Sequence, residues 1–104
     1  MYREIENILN NLVQNIQNGL TPEVLATWYT IIINRARELA PLELKDKITV
    51  EQDNILPMKF RLDISRRAIP FVIMAIDENI THMPYSTRLY FEKVRDLIIE
   101  KIDQ

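Results

Sequence analysis

Apolar residues fall at three- and four-residue steps at the start of the chain: Ile5, Ile8, Leu9, Leu12, Val13 and Ile16. Glu4, Glu6, Asn7, Asn11, Gln14 and Asn18 lie between them. That spacing predicts an amphipathic helix from Tyr2 to Asn18. Gly19 stands where a left-handed C-terminal cap belongs. Thr21 then offers a side-chain oxygen to cap a second helix, and Pro22 fits its first turn, where a missing N–H costs nothing. This helix is expected to run to about Ala40, where Pro41 ends it. Its apolar arc is wide, taking in Val24, Leu25, Trp28, Tyr29, Ile31, Ile32, Ile33, Ala36 and Leu39. A helix of this kind is either central to the fold or covered by another subunit.

After Pro41 the period changes to two. Leu42, Leu44, Ile48 and Val50 share one parity, with Asp46 breaking it as a turn or bulge. Met58, Phe60, Leu62 and Ile64 share another, alternating with Lys59, Arg61 and Asp63. Two or three antiparallel strands with one buried face are expected between residues 42 and 64, interrupted by the turn-forming Gln52-Asp53-Asn54. Ser65 can cap a third helix, with Pro70 in its first turn and Phe71, Val72, Ile73, Met74, Ala75, Ile76 and Ile80 at helical spacing. Pro84 breaks that helix. Ser86 or Thr87 restarts it, and Leu89, Tyr90, Phe91, Val94, Leu97, Ile98 and Ile102 form the last stripe, with Glu92 and Arg95 placed to pair on its outer face. The expected fold class is α+β: an N-terminal helical hairpin, a small antiparallel sheet and C-terminal helices, in one domain spanning residues 1–104.

Composition narrows the chemistry. The single glycine excludes phosphate loops, dinucleotide fingerprints and nucleophile elbows, all of which need several. The absence of cysteine and the presence of one histidine exclude thiolate and multi-histidine metal sites. No cofactor is expected. His82 reads as a polar residue near a helix end, without a motif around it. Asp77 and Glu78 are neighbours on a helix, so their side chains point ~100° apart and do not converge on one ion. No catalytic constellation emerges, and the chain is not expected to be an enzyme.

A net charge of −2 sets phosphate binding back. Lys45, Lys47, Lys59 and Arg61 share the wet parity of the predicted sheet, diluted by Glu43, Glu51 and Asp63. They serve either to protect sheet edges or to meet a nucleic acid or an acidic protein. Arg66 and Arg67 mark the corner after the sheet. The aromatic and methionine positions lie on apolar stripes, where core packing is the default. The width of the arc around Trp28, Tyr29 and Ile32, and of the run from Phe71 to Ile76, nevertheless suggests apolar surface left for a partner.

Two stretches carry a resemblance. Arg35-Ala36-Arg37-Glu38-Leu39-Ala40-Pro41, followed by Lys47-Ile48-Thr49-Val50, precedes Ile69-Pro70-Phe71-Val72-Ile73-Met74-Ala75-Ile76-Asp77-Glu78-Asn79. In order of elements, residues 22 to 102 resemble the tail-completion or neck proteins that join head to tail in long-tailed bacteriophages. There a long helix ends in Ala-Pro, a small antiparallel sheet follows, and a Pro-Phe segment leads into a final helix. The chain departs from that pattern where the family carries Val-Asp-Thr-Gly after Ala-Pro; here Leu42-Glu43-Leu44 follows. The family's glycine-bearing loop before Pro-Phe is also absent, which implies a shorter sheet. The resemblance implies a structural subunit forming a ring between portal and tail, without catalysis.

The expected function is therefore that of an assembly subunit acting through protein–protein contacts. Its expected partners are copies of itself, in a homo-oligomer or ring, and neighbouring structural proteins. Trp28, Tyr29, Ile32, Lys59, Arg61, Arg66, Arg67 and Phe71 are the candidate partner contacts. The alternative is a small nucleic-acid-associated regulator using the basic sheet face. The longest apolar run, Ile31-Ile32-Ile33, is too short to span a membrane, and no leader opens the chain, so a virion or host-cytoplasm location is expected rather than secretion.

Overall fold

The structure, a computed structural model, describes residues 20–102. The helix expected from Tyr2 to Asn18 and its cap at Gly19 lie outside the described residues. α1 runs Pro22–Leu39, β1 Ile48–Gln52, β2 Phe60–Ile64, α2 Ile69–Ile80 and α3 Tyr85–Ile102, with short 3-10 turns at Leu42–Lys47 and Arg66–Ala68. The fold is α+β, a two-stranded antiparallel sheet followed by C-terminal helices.

α1 begins as its sequence dictates. The Thr21 hydroxyl accepts a hydrogen bond from the Val24 N–H at 3.1 Å, with proline in the first turn. At the other end Pro41 stops the helix and creates a deficit, because the Arg37 carbonyl would take its bond from residue 41, which has no N–H. The Lys45 ammonium supplies the donor, bonding the Arg37 carbonyl and, at 3.0 Å, that of Ala40. A cation at this position also complements the helix dipole. Lys45→Met removes both donors, and urea titration should show a loss of about 1–2 kcal/mol. An unchanged midpoint would mean that water serves those carbonyls equally well.

That use of Lys45 corrects the expected strand over residues 42 to 47. The segment winds as a 3-10 turn instead, with Leu44 alone buried and Leu42 turned outward. The sheet is correspondingly one hairpin. Its register pairs Ile48 with Ile64, Val50 with Leu62 and Gln52 with Phe60 on one face, and Thr49 with Asp63 and Glu51 with Arg61 on the other. Ile48, Phe60, Leu62 and Ile64 are buried on the first face, as the alternation predicts. The Arg37 guanidinium donates to the Ile48 carbonyl through Nε at 3.0 Å and Nη2 at 2.8 Å, tying the end of α1 to the start of β1.

Two helix starts also differ from expectation. Ser65 caps no helix: a 3-10 turn intervenes, its hydroxyl has no partner, and Ala68 is the residue before α2. α3 begins at Tyr85 directly after Pro84, with the Arg88 N–H bonded to the Pro84 carbonyl at 2.8 Å. Proline is comfortable there because a helix leaves its first N–H groups without partners anyway.

The core lies between the sheet and the three helices. α1 is central, contributing Leu25, Tyr29, Ile32, Ile33 and Ala36, and packs on both α2 and β1. Tyr29 stacks on Phe60, with centroids 4.7 Å apart, and meets Phe91 edge-on at 4.9 Å. Its hydroxyl lies 2.7 Å from that of Tyr90, so two buried phenols satisfy each other.

Candidate functional site

Two of the candidate partner contacts are core residues. Tyr29 and Ile32 are fully covered by the chain itself, which corrects their assignment to an outer surface. Most of the wide arc of α1 is covered because this helix is packed on several sides, although Ile31 stays exposed. Trp28 and Phe71 are half-buried and packed against the same core, so neither stands out as a free apolar side chain.

The basic sheet face does not assemble as expected. Lys45 is folded under α1, and Lys47 lies in the 3-10 turn. Arg61 remains on the wet face but pairs with its cross-strand neighbour Glu51 at 3.0 Å. Lys59 lies beside Asp53 at the end of β2. Two open depressions on this face are lined by charges of both signs: Glu51, Asp53, Lys59 and Arg61 in one, Asp46, Lys47 and Asp63 in the other. Arg66 and Arg67 are exposed at the following corner, with Arg66 Nη2 donating to the Ile102 carbonyl at 3.0 Å.

The other titratable residues take structural places. Asp77 pairs with Arg95 at 2.9 Å, and Glu78 pairs with Arg35 at 2.6 Å, so the adjacent carboxylates diverge to different helices. Arg95 thus faces Asp77 and Asp96, where the sequence suggested Glu92. Pairing with the Arg35 guanidinium holds the Glu78 carboxyl below its ordinary range. His82 is exposed in the turn between α2 and α3. Among the described residues, no group of three or more histidine, aspartate or glutamate side chains could hold a metal ion. No described helix is long and apolar enough to cross a membrane.

The surface feature that stands out is the tip of the hairpin. Ile55 is 85% exposed and Leu56 56% exposed, and Pro57 beside them is exposed too. The tip is nonetheless built. The Asp53 carboxylate accepts from the Ile55 N–H at 2.7 Å and the Leu56 N–H at 3.1 Å, an Asx turn that fixes both residues. Those two bonds hold the Asp53 carboxyl below its ordinary value. The clamp is therefore complete above the usual aspartate range and is released as pH falls through the lowered value. Lys59 N–H to the Leu56 carbonyl, Asp53 N–H to the Lys59 carbonyl, each at 2.9 Å, and Gln52 Nε2 to the Pro57 carbonyl at 2.8 Å close the loop. The turn read from the sequence covers Gln52-Asp53-Asn54 and gives Ile55, Leu56 and Pro57 no place. The available signal was two apolar residues, Ile55 and Leu56, inside a turn-forming segment, where neither can reach the buried face.

A defined turn that holds two branched apolar side chains in solvent can insert them into a concave apolar surface with little ordering cost. Comparison of the chain with protein-family models, curated proteins and solved structures finds no match.

Proposed function

We propose that the chain is a structural assembly subunit that works through protein–protein contacts. The observation that carries this reading is the clamped tip, which keeps Ile55 and Leu56 in water on a fixed backbone. Large apolar side chains held this way are the anchors protein interfaces use. The order of elements supports a more concrete form: a helix ending in Ala40-Pro41, a small sheet, then Pro70-Phe71 opening the C-terminal helices. That is the order in the neck proteins the sequence resembles, and it favours a ring subunit between head and tail. On this reading the work is done by surface shape, with no chemical step.

Light scattering on a sizing column, with negative-stain images of any large peak, tests the proposal. The wild-type chain should assemble beyond a monomer, and Ile55→Ser/Leu56→Ser should lose that assembly. Its melting temperature should stay near wild type, because exposed substitutions rarely change stability by more than about 0.5 kcal/mol. A chain that stays monomeric and shifts DNA or RNA on a low-salt gel, with the shift lost in Lys59→Glu/Arg61→Glu, would overturn it in favour of nucleic-acid binding.

A further inference from the structure

The hydrogen bonds of the hairpin tip divide into two sets. Asp53 N–H to the Lys59 carbonyl, Lys59 N–H to the Leu56 carbonyl and Gln52 Nε2 to the Pro57 carbonyl tie the two sides of the loop together. They close it without using the N–H or the carbonyl of Ile55. Ile55 is held instead through its N–H to Asp53 Oδ1 at 2.7 Å, and the Leu56 N–H reaches the same oxygen at 3.1 Å. Among the described residues, that oxygen is the hydrogen-bond partner Ile55 has. Pro57 biases Leu56 toward extended backbone from its C-terminal side, and Ile55 has no such neighbour. The most exposed side chain of the tip thus stands on backbone fixed by one ionisable group.

Hydrogen bonds to a charged acceptor are roughly twice as strong as those to a neutral one. Around Asp53 the wet face of the hairpin presents Lys59 across the loop, then Glu51 and Arg61, which pair with each other at 3.0 Å. The two amides and, more weakly, Lys59 favour the charged carboxylate. A proton on Asp53 weakens both clamp bonds and leaves the backbone bond between its N–H and the Lys59 carbonyl in place. The tip can therefore lose its order while the hairpin keeps its register.

We propose that Asp53 is the positioning residue of the tip contact: it holds Ile55 and Leu56 in the geometry a partner meets, and its protonation releases them. The proposal rests on the assembly reading above and adds its regulation. Asp53 needs no contact with the partner for this. It acts by removing beforehand the ordering cost of the two residues that bind.

Asp53→Ala and Asp53→Asn test it, by light scattering for association and by NMR relaxation of the Ile55 amide for order. Asp53→Ala removes the acceptor. Association should weaken about tenfold or more, the Ile55 amide should become mobile on the ps–ns scale, and far-UV circular dichroism should overlay the wild type. Asp53→Asn keeps a neutral acceptor suited to the same turn and should stay within about threefold of wild type. The pH profile then separates positioning from plain support. Because folding lowers the Asp53 carboxyl below its ordinary value, the clamp is whole above the ordinary aspartate range and is lost as pH falls through the lowered value. From ~pH 6 to ~pH 3 the wild type should lose more association than Asp53→Asn, whose residue 53 gains no proton there. If wild type assembles and Asp53→Ala assembles equally well, the positioning role is overturned while the assembly reading stands. Parallel pH profiles of wild type and Asp53→Asn overturn the release by protonation. A wild-type chain that is monomeric at every concentration overturns the assembly reading and this proposal with it.

Discussion

Phe91→Ala should cost about 3–5 kcal/mol, a large share of the roughly 5–15 kcal/mol that holds a domain of this size. Phe91 has no exposure and meets both Tyr29 and Tyr90 edge-on at 4.9 Å. Deleting the ring removes its burial, leaves a cavity and strips two aromatic contacts at once. Tyr29 of α1 is stacked on Phe60 of β2 while it meets Phe91, so it cannot move into the gap without losing that stacking. In thermal unfolding the midpoint should fall by about 15 °C or more. Phe91→Leu, which keeps most of the volume, should recover over half of the loss. A cost under about 1 kcal/mol for the alanine variant would place the ring outside the cooperative core.

The second large effect belongs to the two phenols. Tyr29→Phe or Tyr90→Phe alone leaves the other hydroxyl buried without a partner, for about 1–3 kcal/mol each. Tyr29→Phe/Tyr90→Phe removes both polar groups and should cost much less than the sum of the single changes. Additive losses in urea titrations would show that the hydroxyls do not depend on each other. The pair also sets an alkaline limit. Burial holds Tyr29 well above the ordinary tyrosine value of 10.0, and burial pushes Tyr90 up to about 12. Because folding raises these values, the contribution is whole below pH 10.0 and is lost as pH rises through about 12. Far-UV circular dichroism should therefore show wild type unfolding in that range, and the double phenylalanine variant surviving to higher pH.

Much of this arrangement was legible in the chain. Alternation of Phe60, Leu62 and Ile64 with Arg61 and Asp63 was enough to orient β2, because a period of two leaves a single choice of buried face. Thr21-Pro22 and Ala40-Pro41 marked α1 almost to the residue, since caps and prolines act through local sterics. Residues 42 to 47 depart from the expected strand because of contacts with the preceding helix rather than their own alternation. Their alternation suited a strand, but the carbonyls left bare by Pro41 drew Lys45 inward and wound the segment up. The partner contacts failed similarly at Tyr29 and Ile32. A wide apolar arc records how much of a helix is covered, and cannot say whether the cover comes from the same chain. Leu42 and Ile55, by contrast, became visible as the most exposed large apolar residues among those described only once the fold had buried their neighbours.

The bond between Tyr29 and Tyr90 joins residues 61 positions apart. Most of the links around the hairpin are local by comparison, Arg37 to Ile48 spanning 11. During synthesis, α1 and the sheet can thus form while the last helix is still inside the ribosome. Translation at roughly 5–20 residues per second puts Tyr90 about 3–12 s behind Tyr29. For that interval Tyr29 lacks the cover that Tyr90 and Phe91 give it, and the nascent chain offers an incompletely buried aromatic to whatever is nearby. Chaperone dependence in the cell would then be governed by how soon α3 emerges, and slow codons between residues 60 and 85 would prolong the hazard.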